Sequence, residues 1–371
     1  MVVSVQAQQK QQYKKGKEMK KLLILLAAAL TFSCTQTQKL YVGTSSPKGL
    51  FILSIDDSGK LTKIHQNESL NRPEFLAYSP DKKHLYAITD GQILRSFKRN
   101  DDGSVKELNA KNSTGKITCH LATSGNGNSL IAASWGTGNV SVISIGKDGK
   151  FSTEARDHNH EIYRAKNQNS RSHHVNLTPD KKYAVITDLG LDIVFVYKLD
   201  ANQEKMKLSG YYKLHSGAGP RHSVFHPNGK FFYVINELDS TMTTFHYLGE
   251  GKFEKKGTLS TKPKSWKAYN NCADIHVHPN GKFLYGSNRG NNSIVIFKID
   301  QTDGSLTVVG HESTRGNWPR NFTLSPSGKF LLVANIRSGD IQVFKVDAST
   351  GKLTYTGNSI KIHRPSCLKF F

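Results

Sequence analysis

His226-Pro227-Asn228-Gly229-Lys230-Phe231-Phe232-Tyr233-Val234-Ile235-Asn236 is the stretch that decides the fold. Its opening is a turn: proline presets φ, and asparagine and glycine accept left-handed backbone. The run after it is aromatic and β-branched and too short for a helix, so it reads as a buried strand. Arg221-His222-Ser223-Val224-Phe225 precedes the turn, so the whole phrase reads as a hairpin.

The phrase recurs. Copies surround Pro80-Asp81-Lys82-Lys83, Pro179-Asp180, Pro279-Asn280-Gly281-Lys282 and Pro326-Ser327-Gly328-Lys329, with a degenerate copy around Gly125-Asn126-Gly127-Asn128. The anchors 80, 125, 179, 227, 279 and 326 are separated by 45, 54, 48, 52 and 47 residues. Each phrase is followed by an alternating run, such as Ser293–Phe297 or Asp340–Phe344, and then by a turn and a final strand, as at Asp303-Gly304-Ser305-Leu306. Four strands per unit at this spacing are the blades of a β-propeller. Six phrases are complete. The seventh is split: Arg364-Pro365-Ser366-Cys367-Leu368 copies its opening and Leu40-Tyr41-Val42-Gly43-Thr44 copies its second strand. Pairing the two ends would close the ring and remove exposed sheet edges. The expected fold is therefore all-β: a seven-bladed propeller, four strands per blade, forming one domain over residues 39–371. The absence of a Trp-Asp signature disfavours the WD40 class, and β-helix repeats are shorter.

Composition agrees with a globular β protein: 31 Gly, 11 Pro and a mean hydropathy of −0.48. The formal charge is +22, from 51 Lys+Arg against 29 Asp+Glu. Residues 1–33 hold six Lys and one Glu, leaving +17 in the remainder. Such a surface favours anionic ligands. The basic residues are spread out and no nucleic-acid motif is present, so nucleic acid is not an expected partner.

Met19-Lys20-Lys21, the apolar run Leu22–Leu30 and Thr31-Phe32-Ser33-Cys34 have the order of a secretory signal, with an apolar segment too short to span a bilayer. Residues 1–33 are read as that signal, with Met19 as an alternative start, and 34–38 as a tether. Cys34 directly after the apolar run predicts a lipid anchor at the cell envelope or periplasm. Thr31 stands where such sites usually carry Leu; the alternative is a cytoplasmic protein. Cys119, Cys272 and Cys367 have no metal-site spacing, so free thiols are expected and no metal.

Aligning the repeats locates a site. Six residues before each anchor stand Glu74, Cys119, His173, Arg221, Ala273, Arg320 and, by extrapolation, Ser366; five before stand Phe75, His120, His174, His222, Asp274, Asn321 and Cys367. Ten after stand Asp90, Trp135, Leu189, Glu237, Arg289 and Ile336. In a hairpin, the start of the first strand and the end of the second lie together, so these columns should gather at one mouth of the ring. They are far more polar than a buried strand allows unless they line a cleft. His and Glu can take a proton from water, and arginines can clamp an anion and stabilise an oxyanion, which suits hydrolysis of an anionic ester. His276 and His278 share a strand face and read as structural, although a metal is possible there. Trp135, Trp266 and Tyr269 could wall the cleft or simply pack.

Gly217-Ala218-Gly219-Pro220-Arg221-His222, Tyr233-Val234-Ile235-Asn236-Glu237-Leu238, Cys272-Ala273-Asp274-Ile275-His276-Val277 and Ser287-Asn288-Arg289-Gly290 resemble the most typical stretches of propeller-type 6-phosphogluconolactonases. The resemblance extends to the related fungal carboxy-cis,cis-muconate lactonising enzyme and covers roughly residues 39 to 371. It implies an active cleft of His173, Arg221, Glu237 and Arg289, all members of the columns above, and no cofactor. His120, His174, His222, Asp274, His276, Arg320 and Asn321 are expected to contact substrate. Pro319-Arg320-Asn321 replaces the family's usual Pro-Arg-His, which bears on substrate preference. The expected activity is hydrolysis of a small anionic sugar lactone by a monomer. The alternatives are a non-catalytic envelope propeller that binds a glycan or protein, and a muconate-type cycloisomerase.

Overall fold

In the computed structural model, which describes residues 37–46 and 49–371, the hairpin phrase forms the two inner strands of each of seven four-stranded antiparallel sheets. Blade 1 runs from Phe75–Tyr78 to Val105–Asn112, blade 2 from Thr118–Thr123 to Phe151–Asn159 and blade 3 from Ser172–Leu177 to Met206–Lys213. Blade 4 runs from Pro220–Phe225 to Lys252–Ser260, blade 5 from Asn271–Val277 to Leu306–Ser313 and blade 6 from Pro319–Leu324 to Leu353–Lys361. Blade 7 joins the two ends of the chain. Its innermost strand is Pro365–Phe370, paired to Gln38–Thr44 through Leu40↔Phe370 and Val42↔Leu368, with Leu50–Ile55 and Leu61–Asn67 outside. The expected architecture and its split blade are both present. The segment read as a signal and Cys34 lie outside the described residues; Gln38–Phe371 form one compact unit.

The turn chemistry works as its residues dictate. Gly229 takes φ 73° and donates to the His226 carbonyl, while Asn228 Oδ1 accepts from the Lys230 amide at 2.9 Å. His226 Nε2 then reaches the Gly281 carbonyl in the matching turn of blade 5 at 2.7 Å, and His278 Nε2 reaches the Gly328 carbonyl of blade 6 at 3.1 Å. His278 is thus a clip between neighbouring turns. Between the faces of adjacent blades lie layers of core side chains; Tyr233, Ile235, Leu284, Val295 and Phe297 fill the gap between blades 4 and 5. Each fully buried aliphatic or aromatic side chain contributes about 1.5–3 kcal/mol, so every blade depends on both neighbours.

Candidate active site

Strict alternation would send adjacent residues of an inner strand to opposite faces. The inner strands break it in the same place each time. Ser172 pairs with Asp188 and His174 with Thr187, leaving His173 as an extra residue. Arg221, Arg320, Cys119 and Ser366 are extra in the same way in blades 4, 6, 2 and 7, and in blade 5 Ala273 and Asp274 face Ser287 alone. A bulge re-aims the side chain it carries. Six blades therefore bend consecutive residues into the channel, and this is why two adjacent columns of the repeat alignment are both polar.

At the start of the inner strands, the bulged residues meet the ends of the second strands. Glu237 Oε2 lies 2.8 Å from Arg221 Nε and 2.7 Å from Arg289 Nη2. The Arg221 Nε contact is a charge contact, with its N–H pointing off the line to the carboxylate. Arg221 is 2% exposed and Glu237 17%, so these charges act in a poorly screened setting. The backbone fixes the arginines further: Arg221 Nη1 donates to the Ala273 carbonyl and Arg289 Nη2 to the Cys272 carbonyl, each at 2.6 Å. Trp318 lies between Arg289 and Arg337, with its ring centroid 5.4 and 3.4 Å from their guanidinium carbons. Burial, then the repulsion of Arg289 and Arg320, lowers the Arg221 pKa to about 9, with Glu237 and Asp274 opposing. Burial works against the Glu237 charge, but Arg289 and Arg221 outweigh it and hold the carboxyl below its ordinary range. His173 sits in the same field. Burial, followed by Arg221, His222 and Arg320, pushes its pKa well down, so the ring is neutral, and its Nδ1 has no hydrogen-bond partner.

What holds His173 in place is a network that the repeat alignment does not reveal. Asp188 Oδ1 accepts from the amides of Arg171, Gly190 and Leu191, while Oδ2 accepts from Ser170 Oγ at 2.5 Å and faces His160 Nδ1 at 3.2 Å. Ser172 Oγ completes it at 2.9 Å from His160 Nδ1, and His160 Nε2 meets the Tyr197 hydroxyl. The segment that leads into the His173 bulge is thereby pinned.

Directly beneath lies a second layer. His222 Nδ1 is 2.8 Å from Asp274 Oδ1; Asn321 Nδ2 donates to Asp274 Oδ2 at 2.5 Å, and His276 Nε2 approaches the same oxygen at 3.2 Å. The rings of His120 and His174 are 4.0 Å apart, and those of His174 and His222 4.7 Å. Of the residues expected to contact substrate, Arg320 joins the arginine layer. His120, His174, His222, Asp274 and Asn321 form the layer below, and His276 lies further along its strand. Arg320 and Arg221 line a narrow cavity of about 20 Å³ with Glu74, Cys119 and Ser366. On the far side, the channel widens into a cavity of about 450 Å³ lined by His120, His174, Asp274 and His276. Phe75, His222 and Asn321 border both. The charged cluster and the larger cavity are thus different places, and the carboxylate shared by two buried arginines belongs to the first.

Smaller expectations resolve as follows. Cys119, Cys272 and Cys367 are free thiols; Cys119 is half-buried at the mouth, and burial pushes its pKa up to about 12. No His/Cys/Asp/Glu group among the described residues is arranged to hold a metal. Trp135 carries the Arg171 guanidinium at 4.5 Å, and Tyr269 is exposed on the loop that packs against Gly290, next to Arg289.

Inner-strand bulges and second-strand ends of this propeller thus bring arginines, a carboxylate and a neutral imidazole to one mouth, a set of groups suited to cleaving an ester. Residues 39–370 match the lactonase family with the seven-bladed β-propeller fold, and the chain belongs to it. It is a lactonase, a hydrolase of cyclic carboxylic esters. The 6-phosphogluconolactonase of Formosa agariphila is 32% identical over 309 residues, covering 77% of this chain and 86% of the relative. That of Bacillus subtilis is 30% identical over 293 residues, covering 76% and 83%. Among solved structures, a periplasmic gluconolactonase of Pseudomonas aeruginosa superposes with a TM-score of 0.82 at 26% identity, covering 90% of this chain and 99% of that one.

Proposed function

We propose that this chain hydrolyses an anionic aldonolactone at the mouth formed by His173, Arg221, Glu237 and Arg289. The observation that carries the reading is the Glu237 carboxylate shared by two buried arginines, beside an imidazole whose Nδ1 is unpartnered. His173 takes a proton from water as the water oxygen bonds to the lactone carbonyl carbon. Arg221 and Arg289 stabilise the oxyanion that forms. The ring C–O bond then breaks, and the proton passes to the departing alkoxide, giving the open hydroxy acid. Glu237 holds the two guanidiniums in register. Burial is the main cause that keeps His173 weakly basic, and Arg221 and Arg320 add to it; an arriving anion offsets the field of these two arginines, so substrate binding strengthens the base. Arg320 supplies a third positive charge at this mouth for the acidic group of the substrate.

The direct test is turnover of 6-phosphogluconolactone and glucono-lactone by the purified protein. His173→Gln should lower kcat by about 10²–10⁴-fold with a smaller change in KM. Absence of turnover above the spontaneous rate with both lactones overturns the reading.

We also propose that the protein is exported and acts as a monomer, tethered through Cys34. Met19-Lys20-Lys21 with Leu22–Leu30 supports export, as does the likeness to a periplasmic gluconolactonase. Intact mass of the mature protein tests the tether: a mass beginning upstream of Cys34, or lacking an acyl group, overturns it.

A further inference from the structure

We propose that the larger cavity, on the far side of the histidine layer from the charged cluster, is a second binding site that takes a small hydroxycarboxylate. At about 450 Å³ it has the size of a small-molecule site. Its lining is built rather than incidental. Three imidazoles form part of it, His120, His174 and His222, each at least nine-tenths buried. The Nε2 of each has no hydrogen-bond partner among the described residues, because their bonds run through Nδ1 to the Val175 amide, Ser223 Oγ and Asp274 Oδ1. Three imidazole nitrogens with no protein partner, converging on one cavity, leave a set of polar groups available to a guest.

The chemistry of the guest follows from which partners are spent. The Asp274 carboxylate is used up by His222, Asn321, His276 and the amides of Ile275 and Phe322. Lys369, half-buried and also in the lining, forms no ion pair with any described carboxylate; its ammonium lies over the Phe75 ring at 5.8 Å. The cavity therefore offers an uncompensated cation and no free anion, which calls for a carboxylate. The imidazoles add both kinds of hydrogen-bond partner. His120 Nδ1 accepts from a backbone N–H, which makes its Nε2 a donor; His222 Nδ1 donates to a carboxylate, which leaves its Nε2 an acceptor. A donor and an acceptor beside the ammonium match a carboxylate carrying hydroxyl groups. The walls of Phe75, Tyr78 and Phe370 limit it to a compact chain or ring.

Such an acid is also the chemical class that lactone opening yields, so the site would sense product. The inference does not depend on turnover, because binding alone is read. Isothermal titration calorimetry with gluconate is run on the wild-type chain, on Arg289→Leu, which disables the arginine mouth, and on Lys369→Gln, with glucose as the uncharged comparison. Gluconate binding should persist in Arg289→Leu and weaken about 10-fold or more in Lys369→Gln, as loss of a charge-assisted contact predicts. Glucose should bind at least about 10-fold more weakly than gluconate to the wild type. Lys369→Gln should keep its lactonase turnover. The proposal is overturned if Arg289→Leu abolishes gluconate binding, if Lys369→Gln binds as the wild type does, or if no binding occurs. Glucose binding as tightly as gluconate also overturns it, and that comparison needs no variant.

Discussion

Arg289 of blade 5 forms an ion pair with Glu237 of blade 4 at 2.7 Å, across the seam between two sheets that share no backbone ladder. The contact makes the relative placement of two blades a condition of the charge arrangement. It also means that removing the carboxylate strands two buried guanidiniums.

Glu237→Gln should therefore cost both stability and turnover. Breaking a buried pair by removing one partner costs about 3–5 kcal/mol, because the remaining charge stays desolvated. Arg221, already held near pKa 9, loses the first of its two acidic supports. The expected result is a lower Tm together with turnover reduced by about 10²-fold or more. Millimolar phosphate should restore part of the Tm by supplying the missing anion. An unchanged Tm would mean that the arginines do not need the carboxylate.

Acid should destabilise the protein earlier than carboxylate protonation alone would. Burial, with Arg221 second, lowers the His222 pKa to about 4, and burial also pushes His120, His173 and His174 well down. In the unfolded chain these rings take up protons near pH 6.5. Their contribution is complete above that value and is lost as the pH falls from about 6.5 towards 4, where the unfolded state binds more protons. For His222 alone the loss at pH 5 is about 2 kcal/mol. Tm measured from pH 8 to 4.5 should be flat above pH 7 and fall below 6.5; a flat profile down to pH 5 would contradict it.

Asp188→Asn should slow catalysis without touching the charged cluster. It replaces an acceptor of Ser170 Oγ by a donor and weakens the clamp on the segment that leads into the His173 bulge. A fall in kcat larger than the rise in KM, with the pH–rate profile displaced, marks loss of His173 positioning. Equal losses in kcat and folded fraction would mark a structural effect only.

The ring closure can be tested at one atom. A Cβ on Gly43 would lie 2.3 Å from the Pro73 carbonyl oxygen, a backbone atom that cannot swing aside. Gly43→Ala should destabilise the protein by about 1–3 kcal/mol, read as a shift in the denaturant midpoint. Deleting residues 365–371 should leave an open inner edge and an aggregating product, read by size-exclusion chromatography.

Much of this was legible in the sequence because the turns are chemically marked. Pro227-Asn228-Gly229-Lys230 and its copies identify hairpins, their spacing identifies blades, and Arg364–Leu368 exposes the split seventh unit. The columns also brought His173, Arg221, Glu237 and Arg289 to one mouth. The layering was not legible. His174 and His222 sit one residue after His173 and Arg221, and only the bulge geometry decides that the first pair lies beneath the second. A visible signal was the run of consecutive polar residues, His173-His174, Arg221-His222 and Arg320-Asn321, where alternation predicts one polar and one apolar. The Asp188–His160 clamp left no such mark: His160 comes from the connection between blades 2 and 3, outside the repeated strands. The cation stacking on Trp318 depends on neighbouring blades meeting and has no local signature.

Val42 pairs with Leu368, so the strand nearest the axis in the closing blade is the last stretch of the propeller to be made. Until residue 370 is available, six blades wait around a gap, and the first segment of the domain has no inner neighbour to bind. The ring cannot close before residues 365–370 have been made. Completion is a single late event that joins sequence positions more than 300 residues apart, and the charged mouth is secured only when the cylinder locks.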